Sequence, residues 1–344
     1  MSVVSLIPLT GMPEVAAGDS LVQLLLDAAA SADAPLTDGD VLVVSSKIVS
    51  KSLGLWADSA DRSAAVASQT VRVVAERLTG DRITRIVQSM AGPTMAAAGV
   101  DASNTGCRDD VLLLPADPDA EAEHLRVALL EATGLRRVGV VLSDTAGRPW
   151  RFGQTDFALG AAGVAVVDDL RGGVDADGKA LTVTSRAVGD ELAAAADLVK
   201  GKAEAIPAAL VRGTACAIDH RGAGARALIR VGPEDWFDHG RAESIRAALG
   251  TAPGSQDAID DGIAAVIPED VATRVRRAVA VTLRGAPEAG VDVGGTVVSV
   301  SAPTAYQLGV AVSRLHVALW GEGLAVDVPA EVSGLDVRLE VHDR

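Results

Sequence analysis

Leu142-Ser-Asp-Thr-Ala-Gly-Arg-Pro-Trp-Arg-Phe-Gly-Gln-Thr-Asp156 is the stretch on which the reading of this chain turns. It continues Val138-Gly-Val-Val-Leu142, a short apolar, β-branched run of the kind that fills a buried strand. The polar residues begin where that strand should end, and α/β folds place their chemistry at such ends. Carboxylates, hydroxyls, two arginines, an indole and two glycines crowd into fifteen positions. Packing alone has no use for that mixture. A polar surface turn is the plain alternative, but loops held by a rigid scaffold are where binding and catalytic groups collect.

Outward from this point the chain alternates helical and extended patterns. Asp19 to Ala30 carries Leu and Val at helical spacing, with Asp19 as the expected N-cap. Asp40 to Ser46 reads as a strand running into a polar turn. Asp117-Pro118 opens a helix with proline at its first position, extending to Thr133. Asp190 to Val199 is Ala-rich and helical and stops at Gly201, and Ile206 to Val211 reads as a strand. Arg241 to Ser255, small and polar toward its end, reads as a linker. Beyond it come a helix near Pro268–Leu283, a strand near Thr296–Ser301, a helix over Pro303–Trp320 and a strand over Leu335–His342. The expected fold is α+β: a mixed α/β domain over residues 1–242 and a small α/β domain over residues 256–344.

Bulk properties exclude several functions. At 344 residues the chain is long enough for two domains. Lys and Arg number 31 against 46 Asp and Glu, a net charge of −15, so a basic face for nucleic acid or an anionic membrane is not expected. Two cysteines, Cys107 and Cys216, show neither metal-type spacing nor a disulfide framework, which fits a reducing cytoplasm. The first residues lack the basic start and long apolar core of a secretory signal. No apolar run approaches the ~18 residues needed to span a bilayer. Aromatic residues make up 2% of the chain, so the core must be built from Ala, Val, Leu and Ile. His124, His220, His239, His316 and His342 are scattered and suggest no shared site.

Three further segments look chemical. Leu6-Ile-Pro-Leu9, followed by Gly11, Pro13 and Gly18, reads as a strand running into a loop. Val44-Ser-Ser-Lys-Ile-Val-Ser-Lys51 follows a strand with hydroxyls and ammonium groups that can hold phosphate, without the glycines of a P-loop. Ala98-Gly-Val-Asp-Ala-Ser-Asn104 places an acid three residues before an amide, which serves a divalent ion or an Asx-type turn equally well. Taken together, Asp101 and Asp144 offer hard oxygen ligands for Mg²⁺ or Mn²⁺, with Ser45, Ser46 and Lys51 available to phosphates. Such a set suits nucleotide-driven group transfer, where catalysis is mostly positioning and charge neutralisation.

In order along the chain, these segments resemble the coenzyme F420-0:L-glutamate ligase (F420 γ-glutamyl ligase) family. The likeness continues through Gly153-Gln-Thr-Asp156, Gly160-Ala-Ala-Gly163, Asp190-Glu-Leu-Ala-Ala-Ala-Ala-Asp-Leu-Val199, Gly201-Lys202 and Val211-Arg-Gly213, and reaches to about residue 240. The resemblance implies that Leu6, Ile7, Pro8, Leu9, Ser45, Ser46, Lys51 and Asn104 contact GTP. It implies that Asp101, Asp144 and Thr145 hold the divalent ion, and that the loop from Gly201 through Lys202 to Pro207 closes on nucleotide and metal. Asp144, Arg148 and Arg151 are the expected catalytic residues. The implied reaction phosphorylates a carboxylate of F420-0 with GTP, after which L-glutamate displaces the phosphate. K⁺ is a further candidate cofactor, and a homodimer the expected assembly.

The sequence departs from the family's usual pattern at Leu53-Gly-Leu55, at Gln88–Met95, at Phe152 and at Leu170. These changes fall where substrate-facing residues are expected. In the C-terminal part, Arg314-Leu-His-Val-Ala-Leu-Trp-Gly-Glu-Gly-Leu324 is faintly similar to a helix of nitroreductase-like flavin domains. No flavin is expected there, and packing or dimerisation is the plainer role. Two other classes remain open from the sequence: a metal-dependent phosphoester hydrolase, and a catalytically weak nucleotide-binding or regulatory homologue.

Overall fold

A computed structural model describes residues 3–106, 108–329 and 334–344. Cys107 lies outside them. Cys216 is a partly buried free thiol. The chain divides into two compact units, one of Met1–Thr70 with Ser89–Glu234 and one of Val71–Gln88 with Asp235–Arg344. The fold is α+β, as expected.

The first unit is built on a five-stranded sheet in the order Ser5–Pro8, Ala208–Arg212, Val41–Ser45, Gly139–Arg148, Arg151–Ala162. Val41–Ser45 and Gly139–Arg148 are parallel, with Ser45 beside Ser143, and the other pairs are antiparallel. Val41 to Val44 are all fully buried because both faces of the sheet are covered. Leu42 and Val44 pack with Leu25, Ala29, Leu125 and Leu129 from the helices Leu21–Ser31 and Pro118–Thr133. Val41 and Val43 pack with Leu192, Ala193 and Ala196 from the helix Val188–Lys200.

Local structure corrects the sequence expectations at three points. Ser20, not Asp19, caps the first helix, its side chain accepting the Gln23 amide, while Asp19 accepts the amide of Ala16 instead. Ser46–Ser52 is a short helix rather than a polar turn, and Ile48 and Val49 turn its inner side into the core. The strand expected to end at Leu142 continues to Arg148 and returns as Arg151–Ala162, so the polar stretch is a hairpin. A register shift between Leu142 and Ser143 marks where the buried half becomes the polar half. Trp150, at φ 58°, makes the turn between the paired residues Arg148 and Arg151.

In the second unit a four-stranded antiparallel sheet runs in the order Gly290–Gly294, Val297–Ser301, Asp336–Asp343, Leu324–Val326. Val298, Val300, Val337, Leu339 and Val341 alternate inward against the helices Val271–Arg284 and Ala305–Gly321. Arg241–Ala248 is a helix of this unit rather than a linker; its Glu243 is buried and accepts the Glu76 amide. That bond ties in the hairpin Thr70–Thr79 and Arg82–Ser89, whose membership of this unit the sequence does not mark. Among the described residues no helix is long and apolar enough to cross a membrane.

Candidate active site

The first unit carries a cleft of about 650 Å³ at the carboxyl ends of its two parallel strands. Ser45 and Ser143 stand side by side at those ends, and the backbone then diverges into the helix Ser46–Ser52 and the polar hairpin. This divergence opens the space a ligand needs. Met12–Val15 form one wall and the 201–207 loop contributes to another.

Four lysines, Lys47, Lys51, Lys200 and Lys202, line the cleft, and the first three pair with carboxylates. Lys47 Nζ lies 2.5 Å from Asp101 Oδ2 and 2.8 Å from Ser103 Oγ. Lys51, one helical turn on and almost wholly buried, pairs with the exposed carboxylate of Glu14. Lys200 closes the helix Val188–Lys200, and its Nζ donates to Asp156 Oδ2 at 2.6 Å and to Ser143 Oγ at 2.7 Å. Asp156 also accepts the Ser143 hydroxyl at 2.9 Å and the Thr145 hydroxyl at 2.7 Å. Its carboxylate is thereby held from three sides.

The carboxylates fall into two electrostatic states. Burial works against ionisation of Asp101, yet the Lys47 ammonium and the amide and hydroxyl of Ser103 leave its carboxyl below the usual range. Asp156 behaves likewise: burial opposes its charge and Lys200, Thr145 and Ser143 more than compensate. Asp144 is pushed up to about 6, chiefly by burial, with the charges of Asp101 and Asp156 adding to the rise. The Thr145 amide and the Lys47 charge only partly oppose this. Among the described residues no ammonium or guanidinium pairs directly with Asp144. Asp197, also on the cleft wall, is raised by burial and by Asp156.

The donors present fit a hard divalent ion that shares its coordination with a substrate. Among the described residues no three carboxylate, imidazole or thiol side chains are grouped so as to hold an ion by themselves. Mg²⁺ bound together with phosphates needs only one or two carboxylates from the protein. The charges of Asp101 and Asp144 repel each other, and Lys47 pairs with one and attracts the other.

Of the residues expected from the sequence, Ser45, Lys51, Asn104, Asp144, Thr145, Gly201 and Lys202 line the cleft. Asp101 joins it through Lys47. Ser46 does not line it: the residue is fully buried, and its hydroxyl has no partner among the described residues. Leu6, Ile7 and Pro8 lie in the edge strand and Leu9 follows it, with Ile7 and Leu9 packed in the core, and Met12–Val15 line the cleft instead. Arg148 and Arg151 sit at the exposed hairpin tip outside the lining residues.

Residues that sequence reasoning leaves unassigned are Ser143, Asp156, Asp197 and Lys200, while Lys47 enters it only as one of the ammonium groups available to phosphate. Asp156 ends the stretch that decides the fold, at the right parity to face Thr145 across a hairpin. Lys200 ends the Ala-rich helix immediately before Gly201, where a helix terminus would deliver it to the same strand ends. No motif marks Asp197.

Comparison with known proteins places this cleft in a family. The model of the family described as F420-0:Gamma-glutamyl ligase matches residues 11–213. The chain is 39% identical over 230 residues to the coenzyme F420:L-glutamate ligase of Methanothermobacter thermautotrophicus, covering 61% of this chain and 89% of that protein. It is 37% identical over 225 residues to the same-named protein of Archaeoglobus fulgidus, covering 61% and 88%. To that of Natronomonas pharaonis it is 40% identical over 223 residues, covering 59% and 83%. Matches of this extent define the chain as a ligase. It belongs to the F420-0:gamma-glutamyl ligase family, with the family match ending at residue 213.

Proposed function

We propose that this chain joins L-glutamate to coenzyme F420-0 at the expense of GTP, through an acyl phosphate. The observation that supports the reading most directly is the convergence of Lys47, Lys51 and Lys202 with Asp144 and Thr145 on one cleft at the parallel strand ends. A carboxylate is a poor electrophile until one oxygen becomes a leaving group. The acceptor's carboxylate oxygen therefore attacks the γ-phosphorus of GTP, forming a C–O–P linkage and releasing GDP. The glutamate amine then attacks the acyl carbon, the C–O bond breaks, inorganic phosphate leaves and the amine gives up a proton.

The residues divide this work by their chemistry. Lys51 and Lys202 supply compact positive charge to the phosphates. Ser45 Oγ accepts the Lys47 amide, which leaves its proton free for a phosphate oxygen. Asn104 offers an amide to the nucleotide. Asp101, Asp144 and Thr145 would hold Mg²⁺ or Mn²⁺, which when bound screens the triphosphate against the substrate's own negative charge. Arg148 and Arg151, on the hairpin that leaves the cleft floor, are assigned to carboxylates of the acceptor and of glutamate. No side-chain nucleophile is needed.

The test is mass analysis of F420 species after incubation with F420-0, GTP, L-glutamate and Mn²⁺. The reading requires products heavier by one or more glutamyl residues, with GTP consumed only when both acceptor and glutamate are present. Phosphate release without glutamate would instead make the protein a hydrolase. Tight GTP binding without turnover would make it a regulatory subunit.

A further inference from the structure

We infer that Asp156, charge-balanced by Lys200, is a positioning residue that fixes the Thr145 hydroxyl as a cation ligand. This inference rests on the proposed divalent site and extends it to a residue pair behind that site. Both members of the pair are buried, with side chains 4% and 5% exposed, and Nζ and Oδ2 are 2.6 Å apart. A structural ion pair alone would not need two hydroxyls. Yet Asp156 Oδ1 takes the proton of Thr145 Oγ1, and Oδ2 takes that of Ser143 Oγ while sharing the Lys200 ammonium.

The direction of those protons matters. A hydroxyl has one hydrogen and two lone pairs, and whichever group receives the hydrogen decides what the lone pairs face. An ionised carboxylate is acceptor-only, so Asp156 compels both hydroxyls to donate toward it. Thr145, which lines the cleft, therefore presents only lone pairs to the cavity. That is the state a hard cation selects, and groups that orient a ligand in this way matter nearly as much as the ligand itself. Lys200, with its Nζ 2.6 Å from Asp156 Oδ2, balances the Asp156 charge in its buried place and keeps that carboxylate turned away from the cation. Asp144 and Asp101 are left as the charged ligands.

The experiment measures Mn²⁺ affinity on the full-length protein without nucleotide or acceptor, by electron paramagnetic resonance of free Mn²⁺. Asp156→Asn is expected to weaken binding by about 10–100-fold, and Thr145→Val by a similar factor, while Thr145→Ser restores it. Because Asp156→Asn strands a buried ammonium, the pair variant Asp156→Asn with Lys200→Met removes both charges and keeps the test available if the single variant does not fold. Adding Thr145→Val to that pair should cost no further affinity, since Asp156 acts through Thr145. Independent, additive losses would overturn the inference, as would Asp156→Asn or the pair variant binding Mn²⁺ like the wild type. A wild type that binds no Mn²⁺ overturns the divalent site itself and this inference with it.

Discussion

Lys47 Nζ and Asp101 Oδ2 lie 2.5 Å apart, so an ammonium already sits on a carboxylate that the family resemblance gives to a divalent ion. The same charge lowers the cost of ionising Asp144. On the proposed metal site, Lys47 would compete with the ion in the absence of nucleotide and become available to phosphate once the ion takes Asp101. Lys47→Met should therefore shift two affinities in opposite directions. Mn²⁺ alone should bind about 5–10-fold more tightly, because a repelling charge of order 1 kcal/mol has gone. GTP should bind at least ~10-fold more weakly, the value of a lost charge-assisted hydrogen bond. Titration calorimetry with each ligand separates the two, and parallel weakening of both would refute the competition.

Asp144 gives a second prediction, with an explicit sign. Burial, together with Asp101 and Asp156, holds its carboxyl up at about 6, above the 3.8 of an unperturbed aspartate. A raised carboxyl favours the folded state when protonated, and that advantage fades as pH climbs through the folded value. Asp144→Asn should thus stabilise the ion-free protein at pH 8, by up to about 3 kcal/mol for a shift of this size, and leave it unchanged below about pH 4. Turnover should fall by about 10²-fold or more, because charge stabilisation at the reacting phosphoryl group is lost. Thermal melts at the two pH values and steady-state GTP consumption check both halves. Unchanged turnover would remove Asp144 from the site.

The C-terminal unit should show its own acid sensitivity. Arg277 is bound at 2.7 Å by Glu269 and at 2.6 Å by Glu322, both bonds largely shielded from solvent. The Arg277 guanidinium holds the Glu269 carboxyl below its usual value, against the effect of burial. A depressed carboxyl stabilises the fold above its unfolded value and loses that contribution as pH falls through the folded one. Unfolding midpoints of the wild type should drop on acidification from pH 5 toward pH 3, and Glu269→Gln should flatten that slope. A slope identical in the two proteins would show that the pair carries no pH-dependent stability.

How far the sequence could be read depends on which signal each residue left. The continuous run Val41–Val44 and the strand before Ser143 were legible because covered sheet faces require unbroken apolar runs. The helix Pro118–Thr133 was legible to the residue, since Asp117 accepts the Ala120 amide and Pro118 follows at the first position. Ser46–Ser52 was not, because a seven-residue helix has too few turns for a periodic signal. The hairpin leaves no alternating signal for a related reason: residues 144–146 are all half-buried and 147–148 are both exposed, so no apolar/polar alternation marks the strand. Asp144 and Thr145 line the cleft from within one motif and Asp101 reaches it through Lys47, but Lys200 and Asp156 are joined only by tertiary contact. Their partnership spans 44 positions. No local pattern records it.

The hairpin tip separates two roles that the sequence ran together. Arg148 and Arg151 pair across the turn, and neither contributes to the cleft wall. Phe152 beside them is fully exposed. Arg151→Ala and Phe152→Ser should each leave stability within about 0.5 kcal/mol of the wild type and leave affinity for GTP and Mn²⁺ unchanged. An effect of Arg151→Ala should appear in the KM for the acceptor or for glutamate. Weaker GTP binding in that variant would place the hairpin tip over the nucleotide instead.

Gly160 and Gly147 lie on the two arms of the same hairpin and should respond oppositely to alanine. A Cβ on Gly160 would stand 2.3 Å from the Pro118 carbonyl oxygen and 2.4 Å from its carbon. Both are backbone atoms at the first turn of a helix whose Asp119 side chain also accepts the Ala161 amide, so neither side can yield cheaply. Overpacking of this kind costs about 1–3 kcal/mol, and here the helix would have to lift from the sheet, so Gly160→Ala belongs at the upper end. A Cβ on Gly147 would meet nothing within 4 Å, and the backbone there is not left-handed. Gly147→Ala should therefore be neutral or stabilising by about 0.4–1 kcal/mol, through the lower entropy of the unfolded chain. Urea unfolding of the two variants measures the contrast, and a Gly160→Ala protein as stable as the wild type would mean that the helix does not press on the strand at this point.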